Sequence, residues 1–290
     1  MMEPAVMGRI FSVCFAFAGK TWYSSHSSIP EEREAVCTMD MLLSGFLAHT
    51  GPVLCVFAAA FLQSLTGFGL AIVTAPLLMF FYDAKDVVAI VLLLCLCGNL
   101  VQGLMNLRKA SLKLVGWLFL GVLCGQPAGL LIFHFLSSDA LKLLINAMVL
   151  VSLCFMQVFH IRLRESNGNA FRTGILSGIT SSTTGMSGPP FLIYIAHTRM
   201  EPQVLRATCF VFFFLCNASS LLAHAAGGES MYYALTEFLY LLPGLATGIL
   251  AGNVLYRYLP KGWIRRAIYI LLLATSVIGI ADVLYSRFLG

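Results

Sequence analysis

Two stretches interrupt the apolar sequence with glycine and hydroxyl residues: FLQSLTGFG at residues 61–69 and GITSSTTGMSGPP at residues 178–190. The same local string, S-x-T-G, occurs in both stretches, at Ser64–Gly67 and again 118 residues later at Ser182–Gly185. Clusters of glycine, serine and threonine break regular secondary structure. Two matching breaks therefore predict a chain that is built from two similar halves.

The rest of the sequence is too apolar for a water-soluble protein. Of the 290 residues, 59% are hydrophobic and 11% are charged, and the mean hydropathy is +0.87. A soluble domain has about 45–50% apolar and about 25% charged residues. We therefore predict an all-α integral membrane protein that is surrounded by the lipid bilayer and has no room for a soluble catalytic domain. The net charge of +5 is concentrated in a few loops, which argues against nucleic acid as a partner.

Ten apolar segments follow one another, five on each side of a charged connection. They are 42–62, 68–81, 87–107, 114–136 and 143–159, and then 171–179, 189–196, 207–226, 238–256 and 267–281. In each half the first two segments flank a break, which predicts a broken or re-entrant helix pair and about eight to ten transmembrane segments in total. An odd number of elements per half makes the second half enter the bilayer from the opposite side. The pattern thus predicts an inverted repeat of two five-helix halves.

Four parts of the chain follow from this pattern. They are an N-terminal extension (1–41), a first transmembrane repeat (42–160), a cytoplasmic connector (161–172) and a second transmembrane repeat (173–290). The extension has one short apolar stretch, Ile10–Ala18, before polar and charged residues. Either it is signal-like, or the start is misassigned and translation begins at Met39 or Met41. In both cases it lies outside the predicted fold.

The basic residues lie mainly in alternate connections. Twelve occupy one set: Arg108, Lys109, Lys113, Arg162, Arg164, Arg172, Arg199, Arg206, Arg257, Lys261, Arg265 and Arg266. The other connections and the C-terminus carry only Lys85, Lys142 and Arg287. By the positive-inside rule the basic loops are cytoplasmic and both ends of the ten-segment core are extracytoplasmic. We expect a multi-pass protein of the cell membrane, inner or plasma.

The two breaks are the candidate substrate site. Non-helical backbone survives in a bilayer only against protein or a water-filled cavity, and the N-termini of broken helices offer free N–H groups and partial positive charge to anions. The candidate residues are Ser64, Thr66, Gly67 and Gly69 in the first half, and Ser182, Thr183, Thr184, Gly185, Ser187 and Gly188 in the second. The alternative is that these small residues only let helices pack closely.

Four further polar residues belong to the candidate site. Arg206 lies near enough to the second break to be the counter-charge of an anion, or it is an interfacial anchor that snorkels. Asn99 and Asn217 are mid-span amides at equivalent positions of the two halves, and they either bond between helices or line the pocket. Gln63 directly precedes the first S-x-T-G string.

Neither a metal nor a cofactor is predicted. Most of the nine cysteines lie in apolar runs, and the sequence has no C-x-x-C with a histidine pair and no H-x-x-x-H. Six histidines are able to carry protons, although a lone histidine in an apolar run is usually structural. The acidic residues near the segments, Glu237 among them, are expected at loops or ends. An interior without carboxylates favours an anion pathway and leaves proton coupling without an acidic carrier.

Both breaks resemble the motifs of the TauE/SafE sulfite exporter family. The matching residues are 61–69 followed by APLL at 75–78, and 178–190 followed by RAT at 206–208. The resemblance covers about residues 42–286. It implies a membrane transporter of sulfite, sulfonates and related organic or sulfur anions. Many relatives have a longer glycine run than the GFG at 67–69 and the GMSG at 185–188 of this chain.

The predicted function is secondary transport of a small anion, most simply sulfite or a related anion, by alternating access at the paired breaks. Since no nucleotide-binding motif is present, the substrate gradient or protons as the coupling ion would supply the energy. A non-transporting sensor or assembly subunit is one alternative. An intramembrane enzyme is another, but the serines of Ser181–Ser187 have no base at a motif spacing, so we predict no enzyme. Homo-oligomerisation is left open.

Overall fold

The described part of the chain is helical. The computed structural model describes residues 49–67, 69–157, 166–195, 200–228, 231–255, 273 and 276–280. Its helices are α1 (Thr50–Thr66), α2 (Leu70–Leu78), α3 (Ala84–Asn106), α4 (Leu112–Phe135), α5 (Ser138–Gln157), α6 (Asn167–Thr184), α7 (Gly188–Ile195), α8 (Pro202–Ala226) and α9 (Tyr232–Leu255). A 3₁₀ turn follows α3 at Leu107–Lys109, and residues 276–280 are helical. No strand occurs among these residues.

Within this described part, four helices are long and apolar enough to cross a membrane: α3, α4, α8 and α9. Several predicted bounds shift. The segment predicted at 42–62 is helical from Thr50, and residues 42–48 lie outside the described residues, as does the extension 1–41. The helix α5 begins at Ser138, earlier than the predicted 143. Of the last predicted span, 267–281, only 273 and 276–280 are described.

Local chemistry explains where several helices begin. Asp83 precedes α3 and its carboxylate accepts a hydrogen bond from the backbone N–H of Lys85 at 3.0 Å. Ser166 caps α6 by accepting from the N–H of Asn169 at 3.2 Å. These side chains satisfy N–H groups that have no partner inside the helix. Pro202 occupies the first position of α8, where a missing N–H does no harm.

The helices α1 and α2 form a hairpin whose two ends lie side by side. Gly51, at the start of α1, packs against the ring of Phe81, which follows α2, and a Cβ on Gly51 would lie 3.0 Å from that ring. In the second pair, Ala170 near the start of α6 and Tyr194 near the end of α7 belong to one buried apolar cluster. The first broken pair therefore turns back on itself, so that the start of α1 and the end of α2 lie next to each other.

Two glycine stripes hold these hairpins against long helices. A Cβ on Gly121, Gly125 or Gly129 of α4 would collide with backbone carbonyl oxygens of α6. Gly244, Gly248 and Gly252 of α9 meet the backbone of α1 in the same way. Glycines four residues apart lie on one helix face and let two backbones approach closely. The pairings α4 with α6 and α9 with α1 thus join each hairpin to a helix of the other half.

At the centre of the described structure, α3 packs against α8. Both helices carry large side chains that are fully buried, including Ile90, Leu92 and Leu94 in α3 and Phe210 and Phe212 in α8. The helix α3 also contacts α9, and α8 contacts α4. The third helix of each half therefore forms the core around which the two hairpins are arranged.

Candidate functional site

A central cleft lies between the two breaks. Its lining residues are Gln63, Gly69, Leu70, Ala71, Ile72, Cys95, Asn99, Ser187, Gly188, Phe213 and Asn217. Six of the fourteen predicted site residues are among them: Gln63, Gly69, Asn99, Ser187, Gly188 and Asn217. They come from both halves of the chain. The central cleft is therefore the place where the paired breaks meet.

The N-terminus of α2 opens into the central cleft. Gly69 precedes this helix with a φ of 115°, and its carbonyl accepts the first helical hydrogen bond, from the N–H of Val73 at 2.9 Å. The N–H groups of Leu70, Ala71 and Ile72 consequently have no carbonyl partner within the helix. Together with the positive end of the helix dipole, they make a suitable site for an anionic oxygen.

The N-terminus of α7 contributes less. Ser187 and Gly188 line the central cleft, but the next two residues of the helix are Pro189 and Pro190. Proline has no backbone N–H. Two of the donors that a helix start normally offers are therefore missing at the second break, so α7 has fewer free N–H groups at its start than α2.

Three buried amides also line the central cleft. The Nε2 of Gln63 donates to the Oδ1 of Asn99 at 2.7 Å, so Asn99 both bonds between helices and lines the cleft. The Oε1 of Gln63 and the Oδ1 of Asn217 have no hydrogen-bond partner in the described part of the chain. The exposed fractions of Gln63, Asn99 and Asn217 are 1%, 2% and 2%. Unpaired buried acceptors are costly, and these two lie where a ligand would bind.

The hydroxyl residues of both strings lie inside helices, although the sequence predicted a break there. Ser64 donates to the carbonyl of Ala60 at 3.0 Å, and Thr184 donates to that of Thr180 at 2.8 Å. Thr183 donates to Ile179 at 2.8 Å and, across to α4, to Gly129 at 2.9 Å. Serine and threonine satisfy their own hydroxyls in this way and so do not interrupt a helix. None of these hydroxyl residues lines the central cleft.

The remaining hydroxyl residues of the two S-x-T-G strings are Ser182 and Thr66. Ser182 is buried, and its Oγ has no hydrogen-bond partner among the residues that the structure describes. Thr66 is the last residue of α1, and only its backbone is described. The breaks themselves are confined to 67–69 and 185–187, between the helices.

Glycines with positive φ end both long helices of the hairpins. Gly67 follows α1 with a φ of 88° and Gly185 follows α6 with a φ of 72°. This left-handed conformation strains residues that have a Cβ. The chain can therefore reverse after α1 and α6 without a longer loop, and the S-x-T-G strings mark these two helix ends.

Arg206 caps α1 and does not line the central cleft. Its guanidinium donates to the carbonyl of Ser64 and to the Oδ1 of Asn253 at 3.3 Å. The guanidinium carbon lies 5.5 Å from the centre of the Phe210 ring, and the side-chain stem packs on Gly67. A cation next to the last carbonyls of a helix interacts favourably with the helix dipole.

His224 has a similar position at the second break. Its Nε2 lies 2.8 Å from the carbonyl oxygen of Ser182, the residue that corresponds to Ser64. The imidazole is buried and packs edge-on against the Phe133 ring at 4.6 Å. Two side chains of α8, Arg206 and His224, thus hold the ends of both hairpin helices.

The sequence did not predict a buried carboxylate near the start of α9. Glu237 lies in the second turn of the helix with 7% exposure, which makes the prediction of acidic residues only at loops or ends wrong for this residue. The Nε2 of His49 lies 3.1 Å from its Oε2, and the hydroxyl of Tyr82 donates to the same oxygen at 2.8 Å. Burial, and then the carboxylate, raise the pKa of Tyr82, so Tyr82 remains a donor at neutral pH.

The remaining candidate groups are cysteines and metal ligands. None of the seven described cysteines forms a disulfide, and Cys95 lines the central cleft. In the described ranges, no three histidine, cysteine or acidic side chains are arranged to hold a metal ion. The polar groups that line the central cleft are amides, the hydroxyl of Ser187, the thiol of Cys95 and backbone N–H groups.

Comparison with known proteins gives a family match and one similar protein. The family model described as Sulfite exporter TauE/SafE matches residues 53–278. A protein of Cupriavidus necator named probable sulfite/organosulfonate exporter TauE is 25% identical over 179 residues, which cover 59% of this chain and 70% of that protein. No solved structure matches the chain. The matched residues include both breaks and every residue that lines the central cleft.

Proposed function

Since the chain belongs to the sulfite exporter TauE/SafE family, we propose that it is a secondary transporter of a small anion, sulfite or a related sulfur-containing or organic anion. The observation that carries the proposal is the central cleft, where the N-terminus of α2 meets buried amides from both halves. Such a cleft offers donors and partial positive charge without a metal or cofactor. Members of this family are transporters, which argues against an enzyme.

We further propose that the two halves form an inverted repeat and move by alternating access. The helix pairings support this. The first helix of each half packs against the fourth helix of the other half, α1 against α9 and α6 against α4, and the third helices, α3 and α8, pack against each other. Inverted-repeat transporters bind substrate at broken helices between their repeats. Rocking of one hairpin against the other would then open the central cleft to either side.

Protons are the proposed coupling ion. The pair of half-buried His49 and buried Glu237 joins the start of α1 to α9, and Tyr82 donates to the same carboxylate from the loop before α3. Histidine changes its charge near neutral pH. Protonation of this pair would therefore change the contact between the first hairpin and the helix on which it packs.

The proposed location is the cell membrane, with the exposed faces of α4 and α9 towards lipid. Large apolar side chains on α4 and α9 are exposed, among them Leu120, Leu131 and Phe135 on α4 and Leu250 and Val254 on α9. Exposed apolar side chains in this number suit a lipid surface or a second copy of the chain. The sensor, assembly-subunit and enzyme alternatives have no comparable observation in their favour.

Flux into proteoliposomes tests the proposed function. Purified protein would be assayed with sulfite, sulfate, taurine, sulfoacetate and acetate, each with and without an imposed pH gradient. We expect saturable flux of at least one sulfur anion, lost in Asn217→Leu and kept in Thr236→Ala, whose hydroxyl is exposed and bonds within α9. Folded protein that moves none of these anions would contradict the proposal.

A further inference from the structure

The central cleft presents acceptors as well as donors. The Oε1 of Gln63, in the first half, and the Oδ1 of Asn217, in the second, are buried and have no hydrogen-bond partner in the described chain. Both residues line the central cleft. An anion that has only acceptor oxygens would leave both carbonyl oxygens unpaired, and an unpaired buried polar group is unfavourable.

The bond between Gln63 and Asn99 guarantees an acceptor at this pair, however these two amides are oriented. The two side chains share one hydrogen bond of 2.7 Å, in which one amide uses its NH₂ and the other its oxygen. In either orientation the pair retains one carbonyl oxygen and one NH₂ group outside the bond. The pair therefore always offers a ligand one acceptor beside one donor.

Donors for the negative charge come from a different part of the central cleft. The N–H groups of Leu70, Ala71 and Ile72 lie at the positive end of α2. This end of the helix disfavours a cation, so a metal ion is not the complement of the two unpaired oxygens. The complement is a ligand with negative oxygens on one side and an O–H or N–H group on the other.

We propose that the central cleft selects small oxyanions that carry their own hydrogen-bond donor, such as hydrogen sulfite or a hydroxy- or aminoalkanesulfonate, over oxyanions that have only acceptors. The negative oxygens bind the N–H groups at the start of α2, and the donor binds the oxygen of Asn217 or of the amide pair. This inference rests on the proposed function, because it names the class of anion that the same cleft carries.

Matched pairs of ligands test the selectivity. Isethionate and 1-propanesulfonate have the same charge and nearly the same shape, but only isethionate has a hydroxyl group. Hydrogen sulfite and methanesulfonate, compared at mildly acidic pH, form a second pair. Binding would be measured by calorimetry on the purified full chain, and flux in proteoliposomes. We expect the donor-bearing member of each pair to bind about tenfold more tightly, the effect of one added hydrogen bond that pairs a buried acceptor.

Variants separate recognition by the amides from general effects on the fold. Asn217→Leu and Gln63→Leu should each lower the ratio of affinities within each pair, because each removes one of the two unpaired acceptors, and the double variant should bring the ratio closest to one. Asn217→Ser, which keeps a small hydrogen-bonding group, should retain part of the preference. Gln102→Leu is the matched control, because Gln102 is a buried amide of α3 that does not line the central cleft, and its ratio should be that of the parent.

The outcomes distinguish the inference from the proposed function. Equal affinity within both pairs, with flux of either member, would overturn the inference and leave the transporter standing. A preference that is lowered in Asn217→Leu and lost in the double variant with Gln63→Leu, in protein without flux, would support the inference and contradict transport. Failure of the folded parent to bind any of the four anions would overturn the inference as well.

Discussion

The two breaks have the same backbone but differ in what surrounds them. Each follows a long helix that ends in a glycine with positive φ, Gly67 in one half and Gly185 in the other. Beyond the first break, α2 begins with ordinary residues and offers its N–H groups to the central cleft. Beyond the second, Pro189 and Pro190 remove two of those donors. The two breaks thus share the same helix-end geometry, while most of the free N–H groups of the two following helices belong to α2.

The side chains that close the two breaks differ in the same way. The stem of Arg206 covers Gly67, whereas the backbone of Val88, at the equivalent position of α3, lies against Gly185. The carbonyls of Ser64 and Ser182 are held by Arg206 and by His224, both from α8. One helix therefore secures both hairpins, and the first is secured by a permanent charge. The comparison teaches that the two breaks end their helices in the same way, while different side chains surround them.

The largest expected loss of stability follows from substitutions in the glycine stripes, and it should be similar for both hairpins. Gly125→Val on α4 and Gly248→Val on α9 would each force a side chain into the backbone of a hairpin helix. Overpacking at such a contact should cost more than about 3 kcal/mol and leave little folded protein. Gly116→Val is the control, since nothing lies within 4 Å of a Cβ at that position. Thermal unfolding in detergent would measure the loss, and normal stability of either variant would contradict the close backbone approach.

Arg206→Met tests the difference in what closes the breaks. It removes a charged donor from the carbonyl of Ser64 and should lower the free energy of unfolding by about 2 kcal/mol. His224→Leu removes the corresponding contact from Ser182 and should cost less. Denaturant unfolding of both variants measures the two losses. An Arg206→Met variant that unfolds like the parent but no longer binds anion would instead make Arg206 the counter-charge of the substrate.

Proline substitution tests the difference in donors. Ala71→Pro removes one N–H from the start of α2 and should weaken anion binding about tenfold, a change of about 1.4 kcal/mol. Pro189→Ala restores an N–H at α7 and should leave affinity unchanged or slightly higher. Calorimetry with sulfite would compare the two with Ala71→Ser as the control. Equal loss of affinity in Ala71→Pro and Pro189→Ala would show that the breaks do not differ as proposed.

The smallest expected change in stability is at the buried carboxylate. Glu237→Gln keeps the shape and can still accept from Tyr82, but it removes the charge that faces His49. We expect a loss of about 1 kcal/mol and a loss of the part of transport that depends on an imposed pH gradient, with exchange in its absence retained. Thr236→Ala is the neighbouring control. Unchanged acceleration by the gradient in Glu237→Gln would rule out this pair as the proton site.

Much of this arrangement could be predicted from the sequence, because helix ends leave local marks. The S-x-T-G strings place both reversals within a few residues, and Asn99, Asn217 and Gln63 were predicted and line the central cleft. The hydroxyl residues were placed in the breaks, whereas Ser64 and Thr184 bond to carbonyls of their own helices. Composition does not distinguish a hydroxyl that faces its own helix from one that faces a ligand.

The rest depended on contacts between distant parts of the chain. Glu237 is stabilised by Tyr82, 155 residues away, so no local pattern marks the buried carboxylate. The partners of Arg206 could not be predicted either, because the sequence around a charged residue at a helix end is the same whether that residue caps a helix or binds a substrate. The glycine stripes, by contrast, have a local pattern in the sequence. The four-residue spacing of Gly244, Gly248 and Gly252 indicates a close contact with another helix.

The central claim is that one cleft between the two breaks binds a small oxyanion at the start of α2. Selenite is a close analogue of sulfite, and its selenium atom can be located by anomalous diffraction from crystals of the full chain. We predict one selenium position in the central cleft, with selenite oxygens within hydrogen-bond distance of the N–H groups of Leu70–Ile72 and of the Asn217 side chain. Selenium bound beside Arg206, or at the N-terminus of α7 alone, would contradict the account.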